Sequence, residues 1–132
     1  MRAPQPAIVD QAAVDWNVWG HTGLADGSGI RWKLLLSGER TDTVGIVTGI
    51  AEIPPGVRLP LHHHEPEETY YIVSGRGRIE IGGQTTEVGP GCAVYIPSNA
   101  PHAFQCVGVE PLVFVFTFPR DRLDQIVYCA DQ

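Results

Sequence analysis

Gly56-Val-Arg-Leu-Pro-Leu-His62-His63-His64-Glu65-Pro66-Glu67-Glu68 (residues 56–68) places three histidines and Glu68 within seven residues. Alternate residues of a β-strand share a face. His62 and His64 are therefore expected to point together, with His63 pointing away. Glu68 follows a Glu-Pro-Glu bend, where the chain changes direction. A fourth candidate ligand, His102, comes from a later strand. Three imidazoles and one carboxylate suit one divalent ion of iron, manganese, nickel, zinc, cobalt or copper. With four protein ligands an octahedral ion keeps two positions for water or substrate, the mark of a reactive site rather than a structural one. A run of three histidines also has a plainer reading, a solvated surface patch; the spacing and His102 weigh against it.

Outward from this stretch the chain reads as short strands and turns. The strand candidates are Arg31–Leu36, Val44–Ile53, Thr69–Val73, Arg78–Ile81, Gln84–Val88, Cys92–Ile96, His102–Val107 and Pro111–Phe118. Gly82-Gly83 is a two-residue hairpin signal, and Pro54-Pro55-Gly56, Ser74-Gly75 and Pro97 end other strands. Leu123–Tyr128 reads as a helical turn or a last extended segment. This pattern gives an all-β sandwich or barrel over residues 30–132. No repeat is visible, so one barrel is expected. Residues 1–29 are the least regular part, an N-terminal extension packing on the barrel or on a partner subunit. It holds a helical turn around Ile8 to Val14, an apolar patch at Trp16, Val18 and Trp19, and a loop over residues 21–29.

A chain of 132 residues suits one domain and buries a core without disulfides or a structural metal, so a bound metal is expected to be functional. The net charge of −6 and the scatter of nine Lys and Arg argue against a nucleic-acid partner. No apolar run approaches the ~20 residues of a membrane span, and the stretch Met1–Trp16 lacks the apolar core of a signal peptide. Cys92, Cys106 and Cys129 are odd in number and form no Cys-x-x-Cys, which reads as reduced thiols in a cytoplasmic protein.

Several residues bear on a reaction. Tyr70 shares the strand face of Glu68 and should look into the barrel, with Tyr71 outside. Two readings stand side by side for it: a general base beside a cation, or a core tyrosine that hydrogen-bonds a ligand. Phe114, Phe116 and Phe118 share a face, either as plain core or as an aromatic wall able to hold an onium cation. Tyr128 either closes the pocket or docks on the surface. Arg31, Lys33 and Arg76 are read as surface charge, with an anionic ligand as the alternative.

The spacing Gly56-x5-His62-x-His64-x3-Glu68-x6-Gly75, with Gly91-x5-Pro97-x-Asn99-x2-His102, resembles the paired motifs of the cupins. Asn99 stands where that motif has Gly, and Cys106 where it has Asn. The resemblance implies a single-domain cupin, a double-stranded β-helix or jelly-roll barrel, with His62, His64, Glu68 and His102 as ligands. Longer strings are similar to the small cupin dimethylsulfoniopropionate lyases. They are Gly-Ile-Arg-Trp-Lys (29–33), Ala-Glu-Ile-Pro-Pro-Gly (51–56), Val-Tyr-Ile-Pro-Ser-Asn-Ala-Pro-His (94–102) and Phe-Pro-Arg-Asp-Arg (118–122). This second resemblance implies that the metal binds a substrate carboxylate and that Tyr70 removes the neighbouring proton. Dimethyl sulfide then leaves and acrylate remains, with Tyr128 as a second tyrosine near the pocket. Two other reactions stay open: an iron-dependent dioxygenase, and a sugar-acid isomerase or ligand-binding cupin. The expected partners are a small organic acid and a second copy of the chain in a homodimer.

Overall fold

The computed structural model describes residues 3–19 and 27–131. The strands are β1 (Asn17–Val18), β2 (Arg31–Leu36), β3 (Val47–Ile53), β4 (Arg58–His63), β5 (Glu68–Ser74), β6 (Gly77–Ile81), β7 (Gln84–Val88), β8 (Ala93–Ile96), β9 (His102–Cys106), β10 (Leu112–Phe118) and β11 (Cys129–Ala130). Two short 3-10 turns, Gln11–Ala13 and Leu123–Gln125, are the only helical elements among the described residues, and none is long and apolar enough to cross a membrane. One sheet has the order β1-β2-β3-β10-β5-β8, the other β11-β4-β9-β6-β7, and all pairings are antiparallel. This is the all-β architecture that the turn pattern predicts, in the jelly-roll form that the cupin resemblance implies.

The two sheets face each other across an apolar core. Val47, Ile53, Ile72, Ile96, Phe104, Leu112 and Phe118 are fully buried there. Burying one such side chain contributes about 1.5–3 kcal/mol, so this layer is a main source of the barrel's stability. The strand alternation is visible in β10, where Leu112, Phe114, Phe116 and Phe118 all face inward.

β4 departs from simple alternation in a way that matters for the site. Leu59 pairs with Phe104, yet His62 pairs with His102, so three steps on β4 oppose two on β9. The extra residue is a bulge, and Pro60 lies within it; proline in a sheet is confined to edges and bulges. Continued from Leu59 without the bulge, the alternation would turn Leu61 and His63 inward. The bulge shifts the parity by one, so His62, His64, Pro66, Glu68 and Tyr70 are buried while the odd positions between them are not.

Several boundaries differ from expectation. β3 begins at Val47 and not at Val44, because Gly45 turns the chain at φ +80° and leaves Val44 exposed. The extension's helical turn shrinks to Gln11–Ala13, and only 123–125 of the C-terminal segment is helical. Of the apolar patch, Val18 is exposed, whereas Trp19 packs against the core. Residues 21–26 of the expected loop lie outside the described residues. Lys33 is buried, a correction to its reading as surface charge. Its ammonium donates to the Gln11 carbonyl at 2.8 Å and lies 4.6 Å from the centre of the Trp16 ring, with Arg31 at 4.1 Å from the same ring.

Asn99, at φ +60°, is the one described non-glycine residue with a left-handed backbone. It occupies the turn that the motif assigns to Gly, as its tolerance of that region predicts. Gly75 is more constrained. It sits at φ +83°, and a Cβ there would lie 2.3 Å from the Pro111 carbonyl oxygen. Strain in the left-handed region and overpacking against backbone add, so Gly75→Ala is expected to cost about 3 kcal/mol. The check is the urea unfolding midpoint, which should fall with an unchanged slope.

Candidate metal centre

Two sheets supply the site. His62 on β4 lies in register with His102 on β9. His64 follows β4 by one residue, where the chain leaves the smaller sheet, and Glu68 opens β5 in the larger one. All four are buried, at 1%, 0%, 2% and 5% exposure in the order named. One ring nitrogen from each histidine falls within 4.8 Å of the others. Glu68 Oε1 is 3.1 Å from His64 Nε2 and 3.6 Å from His102 Nε2. The structure thus brings together every residue that the sequence nominates as a ligand.

The hydrogen bonds fix which ring nitrogen faces the centre. His62 Nδ1 meets the Pro60 carbonyl at 2.7 Å, His64 Nδ1 the Pro66 carbonyl at 2.8 Å, and His102 Nδ1 the Ala100 carbonyl at 2.9 Å. A carbonyl only accepts, so each Nδ1 donates, and in the neutral ring Nε2 is left as a bare lone pair. His102 Nε2 is buried without any hydrogen-bond partner. His64 Nε2 faces a carboxylate oxygen, an acceptor opposite an acceptor. Buried lone pairs in this state are costly, and a cation at their common focus would satisfy them. Nitrogen and oxygen donors with hydrogen-bonded far sides fit a divalent transition ion. The His62, His64 and His102 cluster is positioned to bind a metal ion.

At His62 protonation agrees with that arrangement, whereas at His64 a proton competes for the place a cation would take. Burial, reinforced by the neighbouring His102, pushes His62 down to about 4, so its ring is neutral near pH 7. Burial works against charge on His64 too, but the Glu68 carboxylate beside it wins and raises it. Burial likewise opposes the Glu68 charge, and the neighbouring His102 and His64 rings outweigh it, leaving the carboxyl below its ordinary range.

A cavity of about 500 Å³ opens beside these ligands. Tyr70 is 2% exposed and lines it, whereas Tyr71 is 53% exposed, so the alternation read from the sequence holds. The Tyr70 ring stacks on Phe104 at 5.4 Å and touches Phe114 at 4.5 Å. Burial, then the Glu68 charge, holds its phenol well above the ordinary range. Phe114 and Phe116 also line the cavity, while Phe118 sits edge-on behind His64 at 5.2 Å. Tyr128 is half-buried in the cavity wall, its ring 5.7 Å from His62 and 5.4 Å from His64. Burial, and after it Glu68, raises its pKa.

Other placements were not legible. Trp19, Trp32, Glu39 and Ile126 line the cavity although the sequence nominates none of them for it. Trp32 carried a signal, since it pairs with inward-facing Ala51 in the β2–β3 register. Arg31 pairs with Glu52 at 3.1 Å, Arg76 lies against Gly89, and neither they nor Lys33 line the cavity.

Two antiparallel sheets wrapped around a buried histidine cluster define a barrel with a metal-ready interior. The chain belongs to the cupin family, whose Cupin domain matches residues 49–118. Dimethylsulfoniopropionate lyase DddW of Ruegeria pomeroyi is similar, at 36% identity over 99 residues, 75% of this chain and 64% of that protein. The chain therefore spans just under two thirds of that relative. Among solved structures, KdgF from Halomonas sp. superposes with a TM-score of 0.74 at 21% identity, covering 92% of this chain and 99% of that one. A chain from the structures of the DMSP lyases RdDddP and RnDddQII gives 0.72 at 24% identity, covering 90% and 63%. At these identities both structures share the fold.

Proposed function

We propose that the chain is a metal-dependent lyase that cleaves dimethylsulfoniopropionate, or a similar β-substituted carboxylate, to dimethyl sulfide and acrylate. His62, His64, Glu68 and His102 hold one divalent ion. Bound there, the ion would supply a positive charge to a substrate carboxylate, which would make the adjacent C–H more acidic and would offset the Glu68 charge that opposes ionisation of Tyr70. Tyr70 first gives its phenol proton to solvent, and the resulting phenolate Oη takes the α-proton. The C–H electrons form the double bond, the β-carbon–sulfur bond breaks, and dimethyl sulfide leaves with the sulfur electron pair. Phe114 and Phe116 present ring faces to the sulfonium, and Tyr128 borders the same space. The observation that carries this reading is the Tyr70 phenol in an aromatic-walled cavity beside the ligand cluster. The similarity to a dimethylsulfoniopropionate lyase over three quarters of the chain supports it.

The test is headspace dimethyl sulfide from protein loaded in turn with Fe(II), Mn(II), Ni(II), Co(II) and Zn(II). Gas is expected with at least one metal and is expected to vanish in His62→Ala. No gas from protein holding one ion per chain would sink the substrate assignment, and oxygen uptake requiring ferrous iron would put a dioxygenase in its place.

A further inference from the structure

The segment 119–131 leaves β10 and returns across the cavity as a strap. Its last residues form β11, which pairs with the outer edge of β4, Cys129 opposite His63 and Ala130 opposite His62. Asp131 N donates to the Leu61 carbonyl at 3.0 Å, and the Asp131 carboxylate accepts from His63 Nδ1 at 2.7 Å. Between its ends the strap puts Ile126 and Tyr128 into the cavity wall. One end is therefore fixed by a sheet.

The other end has no sheet. The 3-10 turn Leu123–Gln125 begins after Arg122, whose side chain only donates and gives the turn no capping acceptor. The first amides of such a turn need an acceptor from elsewhere. Glu39, in the β2–β3 connection, provides it: Oε1 accepts from Leu123 N at 2.7 Å and Oε2 from Asp124 N at 2.9 Å. Ser37 Oγ also bonds the Glu39 carboxylate, and it shares Leu123 N at the longer distance of 3.3 Å. Burial works to raise the Glu39 pKa, but these hydrogen bonds prevail and keep the carboxyl below its ordinary range. Around this clasp, Gly38 N donates to the Asp121 carbonyl at 2.7 Å and Gly45 N to the Asp121 carboxylate at 2.6 Å.

We propose that Glu39 is a positioning residue: from 84 positions away in sequence it holds the strap shut and so keeps Tyr128 against His62 and His64. A carboxylate that accepts two backbone amides cannot be matched by a neutral side chain, because charge-assisted bonds are the strong ones. Glu39 also lines the cavity, but its hydrogen bonds run to Ser37, Leu123 and Asp124 and to none of the ligands. The inference goes beyond the lyase reading, and only its kinetic arm rests on that reading.

The test uses Glu39→Ala and Glu39→Gln in the full chain, with metal content and amide exchange measured beside turnover. Exchange of the Leu123 and Asp124 amides is expected to quicken at least about tenfold, with β5 and β9 amides unchanged and metal per chain as in the parent. With dimethylsulfoniopropionate, KM is expected to rise about tenfold while kcat moves by less than about threefold, because a loosened strap weakens ground-state and transition-state binding alike. Parental exchange at Leu123 and Asp124 in Glu39→Ala, or a rise spread evenly over the barrel, overturns the proposal. A fall in kcat at unchanged KM overturns it too. If the parent releases no dimethyl sulfide, the lyase reading fails by itself and the exchange measurement still decides the role of Glu39.

Discussion

Tyr70→Phe is expected to lower turnover by about 10²–10⁴-fold, the range for losing a positioned proton acceptor, while the chain still holds one metal ion. The change is confined to one oxygen. The ring is held by stacking on Phe104 and by contact with Phe114, and phenylalanine keeps both. Of the four ligands only Glu68 acts on the phenol, and the three histidines keep their far nitrogens on Pro60, Pro66 and Ala100. Metal content should therefore stay at one per chain by elemental analysis, and the melting temperature should shift by only a few degrees. Rates at saturating substrate are the measurement. A variant with full turnover would remove Tyr70 as the base and leave it as a core tyrosine.

The second large effect concerns the ligands. His102→Ala should weaken metal binding by more than about 100-fold, since losing only an outer hydrogen-bond partner of a ligand costs about 10–100-fold. His102 is fully buried and its Nε2 has no other partner, so nothing nearby replaces it. The signal appears without any substrate. Metal at 100 times its dissociation constant should stabilise the parent by about 2.7 kcal/mol, and at that concentration most of this gain should be absent in the variant. Dialysis against a mild chelator followed by elemental analysis gives the same answer independently. A variant that keeps one ion per chain and the full thermal shift would show that His102 is not a ligand.

Much of the site was legible because its residues obey local rules. Alternation reads His62 with His64, and Tyr70 with Glu68, on a shared face, with Glu68 expected beyond a bend, and the burial of 62–70 alternates residue by residue. Asn99 was placed by its tolerance of a left-handed turn. Strand cores were legible too, with β2 and β7 at the expected limits. What was not legible is non-local. The bulge at Pro60 sets which parity faces inward, and only the pairing with β9 reveals it. Lys33 reads as an ordinary surface cation until residues 11–16 fold over it. The strap depends on Glu39, and no pattern in 119–131 points to a partner so distant.

The carbonyls that orient the three histidines lie two positions from the residue they serve: 60 for 62, 66 for 64, and 100 for 102. Each ligand thus arrives as a self-contained tripeptide, carrying its own orienting group on the main chain. Side-chain replacement leaves such a group in place, so the tuning of the imidazoles is insulated from mutation in the surrounding wall. The wall, built from Trp19, Trp32, Phe114 and Tyr128, is free to change without it. The orientation of the imidazoles and the make-up of the cavity wall are in this sense separate, and the lining can be altered while the ring orientations stay constant.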